Sequence, residues 1–189
     1  DGRTLVPLQL KSWDAVFVVF DQAAVTKVLT VTKPIKKSET LLTNEWKVDF
    51  NGLSKTYNDL SSWTADADTK YFSGTAVYQT KFNQKAITKG EQYVLVFDDL
   101  QNIAEIKLNG KNIGTIWKKP YQIDLTPALK IGENKLEISV TNTWVNRLIG
   151  DALPDVKEKT TFTSMPLVSP MMPLMPAGII GKVKILTYN

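Results

Sequence analysis

The 189-residue chain contains neither cysteine nor histidine. Without cysteine, disulfide bonds and thiolate metal sites are excluded. Without histidine, the chain lacks the commonest general base and the usual zinc ligand, so neither Ser-His-Asp nor Cys-His catalysis can occur within it alone.

Long apolar runs and concentrated charge are also missing. No stretch reaches the about 20 apolar residues that a membrane-spanning helix needs, so we predict no membrane partner. The formal net charge of +4 comes from scattered lysines such as Lys36, Lys37, Lys118 and Lys119. Because a basic stripe with interleaved aromatics is absent, nucleic acid is not expected as a partner.

The ends of the chain suggest a piece of a larger protein. The sequence opens on Asp1-Gly2-Arg3 without an initiator methionine or a signal peptide, which predicts a segment of a longer polypeptide. All-β sandwiches of this size are commonly one domain. We expect a single β-sandwich domain over 1–189, or one in which 1–43 is the end of a preceding β domain plus a linker.

Apolar residues alternate with polar ones along most of the chain, which predicts β-strands. The polar, lysine-rich stretch Lys33–Thr43 instead predicts a linker or crossing loop, and Gly74 indicates a bulge or a close backbone approach. The expected strands lie at Thr4–Leu10, Ala15–Phe20, Val25–Thr32, Trp46–Phe50, Phe72–Phe82, around Val94 and Val96, Ile103–Leu108, Tyr121–Leu125, Leu136–Val140 and Ile179–Tyr188.

Turn residues divide these strands. Asn109-Gly110 favours positive φ at both central positions and predicts a tight hairpin. Gly132-Glu133-Asn134 marks a second turn, and Thr126-Pro127 predicts a single helical turn capped by Thr126. Prolines from Pro154 to Pro176 exclude regular helix from most of the long loop before the last strand. With no helix of ordinary length expected, the predicted class is an all-β sandwich of jelly-roll type.

These features follow one another in Tyr93–Asn142 in a specific order. The segment reads L-N-G-K-x-I-G and then D-L-T-x-x-L-K-x-G-E-N-x-L-E-I-x-V-x-N. It resembles the sugar-binding, galactose-binding-like β-sandwich domain of glycoside hydrolase family 2. Further motifs are similar to the C-terminal region of bacterial α-L-rhamnosidases of family 106, over nearly the whole chain but weakly at 21–43 and 152–170. These motifs are Trp13–Phe20, Trp63, Tyr71–Tyr78, Thr143–Asp151 and Pro176–Gly181.

The resemblance implies a function. In such enzymes the catalytic carboxylates lie in a separate barrel domain, and nothing in this chain matches that barrel. We therefore expect a non-catalytic accessory domain of a bacterial, polysaccharide-degrading glycoside hydrolase, with the catalytic domain of the same polypeptide and carbohydrate as partners and a periplasmic or extracellular location. The alternatives are an independent carbohydrate-binding module and, less favoured, a hydrolase that uses two of the 19 acidic residues.

Two clusters are candidates for carbohydrate binding. Asn142, Trp144, Asn146 and Arg147 offer an aromatic face, two amides and a guanidinium just after a strand, a mixture suited to sugar rings and hydroxyls. In the structural alternative, Trp144 packs under the long loop and Arg147 pairs with Asp151.

The second cluster is formed by Trp117 and Tyr121, with two lysines and a proline between them. The resemblance implies that this place faces the neighbouring catalytic domain, where exposed aromatics suit a domain interface or contact with sugar. Core packing is the third alternative.

No catalytic residue and no cofactor are predicted. Thr64, Asp66 and Asp68 could offer oxygen ligands to a structural calcium, but their spacing falls far short of an EF-hand loop and a solvated acidic turn is preferred. Core positions are expected for Trp13, Trp46 and Trp63. The four methionines of the proline-rich loop are expected to pack on the sandwich, with an apolar contact to a partner domain as the alternative; they are Met165, Met171, Met172 and Met175.

Overall fold

The computed structural model describes residues 5–8, 10, 13–20, 34–165 and 168–189. In this part of the chain, strands alternate with short turns, and a 3-10 turn (Trp63–Ala65) and a helix α1 (Val145–Asp151) are the described helical elements. None of the described helices has the length and apolar character that a membrane crossing requires. The strands are β1 (Lys36–Leu41), β2 (Trp46–Phe50), β3 (Leu53–Tyr57), β4 (Thr75–Gln84), β5 (Gln92–Gln101), β6 (Ile103–Leu108), β7 (Lys111–Ile116), β8 (Gln122–Asp124), β9 (Gly132–Thr141) and β10 (Gly178–Tyr188).

Two antiparallel sheets form the layers of the sandwich. The four-stranded sheet has the order β1-β10-β5-β8, and the six-stranded sheet has the order β3-β2-β4-β9-β6-β7. Every described pairing is antiparallel. The predicted all-β sandwich is therefore confirmed.

The core lies between the sheets because alternate side chains of each strand point inward. Leu136, Ile138 and Val140 of β9 are buried, whereas the residues between them are more exposed. From the other sheet, Leu95 and Ile185 pack into the same cluster. Burial of apolar side chains on the facing surfaces of two sheets is the main stabilising term of such a fold.

Trp46 and Trp63 are buried in this core, as the sequence predicts. Trp63 meets Phe50 and Phe72 edge-on, with ring centroids 5.4 and 5.5 Å apart. Trp13 is different: it is 82% exposed, so its predicted core position is wrong. The reason is that no described strand pairs with the segment around it.

The predictions for the N-terminal segment are partly wrong and partly untested. Ala15–Phe20 is described without strand structure, and Phe17 is 96% exposed, because apolar composition cannot make a strand without a partner. Thr4–Leu10 lies partly and Val25–Thr32 wholly outside the described residues. The stretch predicted as a linker contains β1, which pairs with β10. How 1–43 divides between domains stays a prediction.

The structure adds one strand, shortens another and decides the role of Gly74. The chain after Asn51-Gly52 forms strand β3, for which no strand is predicted from the sequence, and it pairs with β2 through a hairpin. The strand expected from Phe72 begins at Thr75, because the φ of Gly74 is 143° and interrupts the extended run. Gly74 is not a bulge but a close approach, since its N–H donates to the Asn142 side chain.

The Asn109-Gly110 hairpin is confirmed, with φ of 54° and 81° at the two residues. The turn after Leu125 also forms, because the N–H groups of Ala128 and Leu129 both donate to the Leu125 carbonyl. Thr126 does not cap it as predicted. Its hydroxyl instead accepts a hydrogen bond from the Tyr93 N–H, and so joins the turn to β5.

Two asparagines connect these turns. The Asn109 amide donates to the Asn134 side-chain oxygen at 2.8 Å and to the Ala128 carbonyl at 2.9 Å. Asn134 is fully buried, and its own amide donates to the carbonyls of Lys130 and Gly132. The Asn-Gly and Gly-Glu-Asn motifs are thus two halves of one hydrogen-bonded unit.

Replacing Asn134 with alanine is expected to lower the free energy of unfolding by about 2 to 4 kcal/mol, because this buried side chain makes hydrogen bonds to Asn109 and to the backbone of Lys130 and Gly132 that are all lost. Urea denaturation followed by tryptophan fluorescence measures the change. Asn112→Ala is the matched control, since Asn112 is exposed, and about 0.5 kcal/mol or less is expected there. Equal effects of the two substitutions would contradict the role of the Asn109–Asn134 unit.

Candidate functional site at the helix end of the sandwich

The strand register brings both predicted clusters to one end of the sandwich. Thr141, at the end of β9, pairs with Thr75 and with Ile103. Ala104 pairs with Ile116, so Trp117 follows β7 at this same end, two strands from β9 and therefore about 10 Å away. We name this the helix end, because α1 begins there.

Exposed apolar side chains characterise the helix end. Trp117 and Trp144 are 60% and 59% exposed, and Ile103 is 41% exposed. Met175 is 53% exposed and lies beside α1, since its backbone bonds to Asn146. Trp144 does not pack under the loop, so that part of the structural alternative is not what the chain adopts. Neighbouring exposed apolar groups mark an interaction surface.

The two asparagines of this cluster are engaged with the backbone. The Asn142 side-chain oxygen accepts from the Gly74 N–H at 2.9 Å, and its amide donates to the Phe72 carbonyl at 2.9 Å. The Asn146 amide donates to the Met175 carbonyl at 2.7 Å, and its oxygen accepts from the Met175 N–H at 2.8 Å. Asn146 is 3% exposed. Both residues hold the loops that present Trp144 and Met175.

Arg147 lies beside Asp151 one helical turn later, as the structural alternative expects. Its Nη2 is 2.9 Å from Oδ1 of Asp151, while Oδ2 accepts from the Thr161 N–H and hydroxyl at 2.7 Å each. Burial alone would raise the pKa of Asp151, but the Thr161 hydrogen bonds and the Arg147 charge outweigh it and hold that pKa below its usual range. Through its bonds to Thr161, the Arg147–Asp151 pair holds the chain that follows α1 in place.

Around Trp117, Asp14 forms an ion pair with Lys118, so the segment at 13–20 touches this loop. Lys119 lies 5.7 Å from the centroid of the Tyr121 ring. Tyr121 packs against the core, and burial together with the nearby Asp99 charge raises its pKa. A shallow cleft of about 270 Å³ runs along Trp117 and Pro120. Of this cluster, Trp117 is therefore the aromatic face open to a partner.

The buried aromatic residues Trp63 and Tyr78 are hydrogen-bonded to each other and to the start of β10. The Tyr78 hydroxyl accepts hydrogen bonds from the Trp63 indole N–H and from the Ile179 N–H. Position 178 requires glycine, since its φ is 90° and a Cβ there would overlap the Trp63 indole. Burial raises the pKa of Tyr78 to about 12.

The proline-rich loop turns its methionines outward. Met165, Met171, Met172 and Met175 are between 44% and 89% exposed, so the prediction that they pack on the sandwich is wrong. Within the described part of this loop, the Met172 N–H donates to the Ser169 carbonyl in a turn, and Asn146 holds the Met175 backbone through two hydrogen bonds. The exposed thioether of Met175 enlarges the apolar surface beside α1.

The acidic turn at Asp66 and Asp68 is neutralised from within the chain. The Lys55 amine lies 2.6 Å from Asp66 and 2.7 Å from Asp68. The pKa of Asp66 is lowered chiefly by this hydrogen bond. Among the described residues, no group of three or more His, Cys, Asp or Glu side chains is placed to hold a metal ion.

The two layers and the loops at their helix end define a galactose-binding-like β-sandwich. A family model described as "Glycosyl hydrolase 2 galactose-binding domain-like" matches residues 51–155, more than half of the 189-residue chain. The chain belongs to this family, and the resemblance found in Tyr93–Asn142 is confirmed.

Individual relatives agree with this family assignment. A candidate β-glucuronidase of Formosa agariphila is 36% identical in an alignment 192 residues long, and the alignment covers 85% of this chain and 16% of that protein. The structure of a rhamnosidase from Novosphingobium sp. PP1Y superposes with a TM-score of 0.80 and 34% identity, over 87% of this chain and 16% of the other. A β-D-glucuronidase from Dictyoglomus thermophilum, at 19% identity, TM-score 0.57 and coverage of 83% and 29%, shares the fold. The chain thus spans about a sixth of the two larger relatives.

Replacing Asn146 with alanine should free the Met175 backbone, because its N–H and carbonyl both lose their partners. We expect amide hydrogen exchange at Met175 to speed up about tenfold or more. Thr143→Ala is the neighbouring control and should leave that rate unchanged. If Asn146 served mainly as a sugar ligand, exchange without sugar would be the same in both variants.

Above pH 10, ionisation of Tyr78 should reduce stability. The pKa is raised on folding, so the unfolded chain loses the proton first, and the free energy of unfolding falls by about 2 to 3 kcal/mol between about pH 10 and 12. Urea denaturation across this range measures the fall. Tyr78→Phe, although less stable at neutral pH, should show a correspondingly smaller fall; an equal fall would show that other groups cause it.

Proposed function

We propose that this chain is a non-catalytic accessory domain of a bacterial glycoside hydrolase, which packs through its helix end on the catalytic domain of the same polypeptide. The observation that carries the proposal is the convergence of exposed Trp117, Trp144, Ile103 and Met175 at one end of the sandwich. Family membership and the small share of the larger relatives that the chain covers support it. Catalytic carboxylates belong to the catalytic domain in this proposal.

The helix end also contributes to glycan binding at the rim of the active site. Trp144 and Trp117 present open ring faces on which a sugar can stack, beside the predicted contacts Tyr121, Asn142, Asn146 and Arg147. The amides of Asn142 and Asn146 already bond to the backbone, so we assign them to positioning and the tryptophans to contact.

The proposal extends to the class of the whole enzyme and to its location. Similarity to the Novosphingobium rhamnosidase supports a rhamnosidase of the family 106 type that degrades polysaccharide, whereas the Formosa relatives support a β-glucuronidase as the other outcome. A periplasmic or extracellular site of action follows from the polymeric nature of such substrates. Assaying the longer polypeptide with aryl rhamnosides and aryl glucuronides separates the two.

An independent carbohydrate-binding module is the second candidate, favoured by the two exposed tryptophans. The isolated chain would then bind rhamnose- or galactose-containing oligosaccharides without the catalytic part. Isothermal titration with each sugar and with the separately produced catalytic part distinguishes the candidates. Sugar binding alone favours the module, and association with the catalytic part favours the docking domain. If the chain binds neither sugar nor the catalytic part, both candidates are overturned.

Trp144→Ala is expected to weaken association with the catalytic part about 30-fold, as loss of a large aromatic anchor does at protein interfaces. Ile131→Ala is the matched control, because Ile131 is 65% exposed but lies next to Gly132, at the opposite end of β9. Similar weakening by both substitutions would place the docking surface elsewhere.

A further inference from the structure

The outer face of the six-stranded sheet carries a cleft that the helix end does not use. It has a volume of about 600 Å³, within the usual range of small-ligand sites, and spans β2, β4, β9 and β6. The strand register places Lys47, Gln79, Glu137 and Lys107 side by side in one row across it. Four strands spaced by about 4.8 Å make this row roughly 15 Å wide.

Positive charge dominates the cleft. Lys47, Lys81, Lys107 and Lys135 line it, against Glu45 and Glu137. Lys107 and Lys81 pair with Glu137 and Glu133, each at 3.2 Å. Within the described part of the chain, the amines of Lys47 and Lys135 make no ion pair. Two cations therefore remain available for a ligand.

Two lysines face each other in the cleft. Lys81 and Lys135 are directly paired across β4 and β9, where like charges destabilise a sheet, and the ion pair of Lys81 with Glu133 offsets part of this repulsion. An anion near Lys135 would offset more of it. In the neighbouring row the Gln79 amide donates to Glu137 at 3.1 Å, which holds a carboxylate and an amide where they can bond to hydroxyl groups.

We propose that this cleft binds an acidic oligosaccharide, with Lys47 and Lys135 on its carboxylates and Gln79 and Glu137 on its hydroxyls. A protein partner fits less well, since interface cores are depleted in lysine and glutamate and rich in aromatics. Single-stranded nucleic acid would need a stacking platform, and among the residues that the structure describes none that lines the cleft is aromatic. Glu137 and Lys135 lie four and six residues along β9 from Thr141, so this site is about 14 to 20 Å from the helix end.

Titration of the chain with tetragalacturonate, and with galactotetraose as the neutral control, tests the proposal. The acidic sugar should bind and the neutral one should bind at least tenfold more weakly. The double variant Lys47→Gln with Lys135→Gln should lose about tenfold in affinity per lysine. Lys85→Gln with Lys89→Gln removes the same charge from exposed positions outside the cleft and should leave the affinity unchanged.

Several outcomes would overturn the proposal. They are no binding of tetragalacturonate, equal binding of the neutral sugar, equal loss in the two double variants, or equal binding of tetraglutamate, which would reveal a general anion surface. Trp144→Ala should not affect this binding, whereas it weakens association with the catalytic part. Failure here and failure of the helix-end proposal are therefore separate results.

Discussion

Asparagine amides that satisfy backbone groups where the sheet ladders stop are the interactions on which the rest of this sandwich depends. Strand pairing provides hydrogen bonds along the sheets but leaves N–H and carbonyl groups open at the turns, and such groups are costly when buried. Asn109 and Asn134 supply the missing partners at one end. Asn142 and Asn146 do the same at the other. Both ends of the fold are thereby held by side-chain hydrogen bonds to the backbone.

This constraint shapes the helix end. Asn142 and Asn146 bond to the backbone there, and the large apolar side chains of Trp144 and Met175 beside them face solvent. The Arg147–Asp151 pair continues the same pattern, because the aspartate is engaged with Thr161 and is not free to act as an acid or a base. A rigid backbone with apolar side chains exposed on it suits docking and stacking better than bond cleavage.

Much of the fold could be predicted from local sequence. The alternation in β9, the Asn109-Gly110 hairpin and the buried Trp46 and Trp63 each reflect a short-range rule that tertiary contacts do not override. Strand β1 was not predicted because it is an edge strand whose residues are all exposed, so its sequence shows no apolar alternation. Whether an apolar segment such as Ala15–Phe20 forms a strand depends on a partner that its own residues do not reveal.

The candidate site was only partly predictable for a related reason. Residue types identified Trp117 and Trp144 as open aromatic faces, and both are exposed. An asparagine, however, can bond equally well to a sugar hydroxyl or to the backbone, and the choice depends on residues far along the chain: Asn142 bonds to Gly74, and Asn146 to Met175. The position of Met175 likewise depends on its two hydrogen bonds with Asn146.

The separation of the two surfaces has a consequence for function. The helix end and the lysine-lined cleft lie on different parts of the sandwich, so binding at one does not obstruct the other. A domain docked through Trp144 would hold an acidic polysaccharide in its cleft within reach of the same catalytic domain. Tethering of this kind raises the effective concentration of substrate without tight binding at either site. Weak affinity in the cleft would then be an advantage, because the polymer must move on after each cleavage.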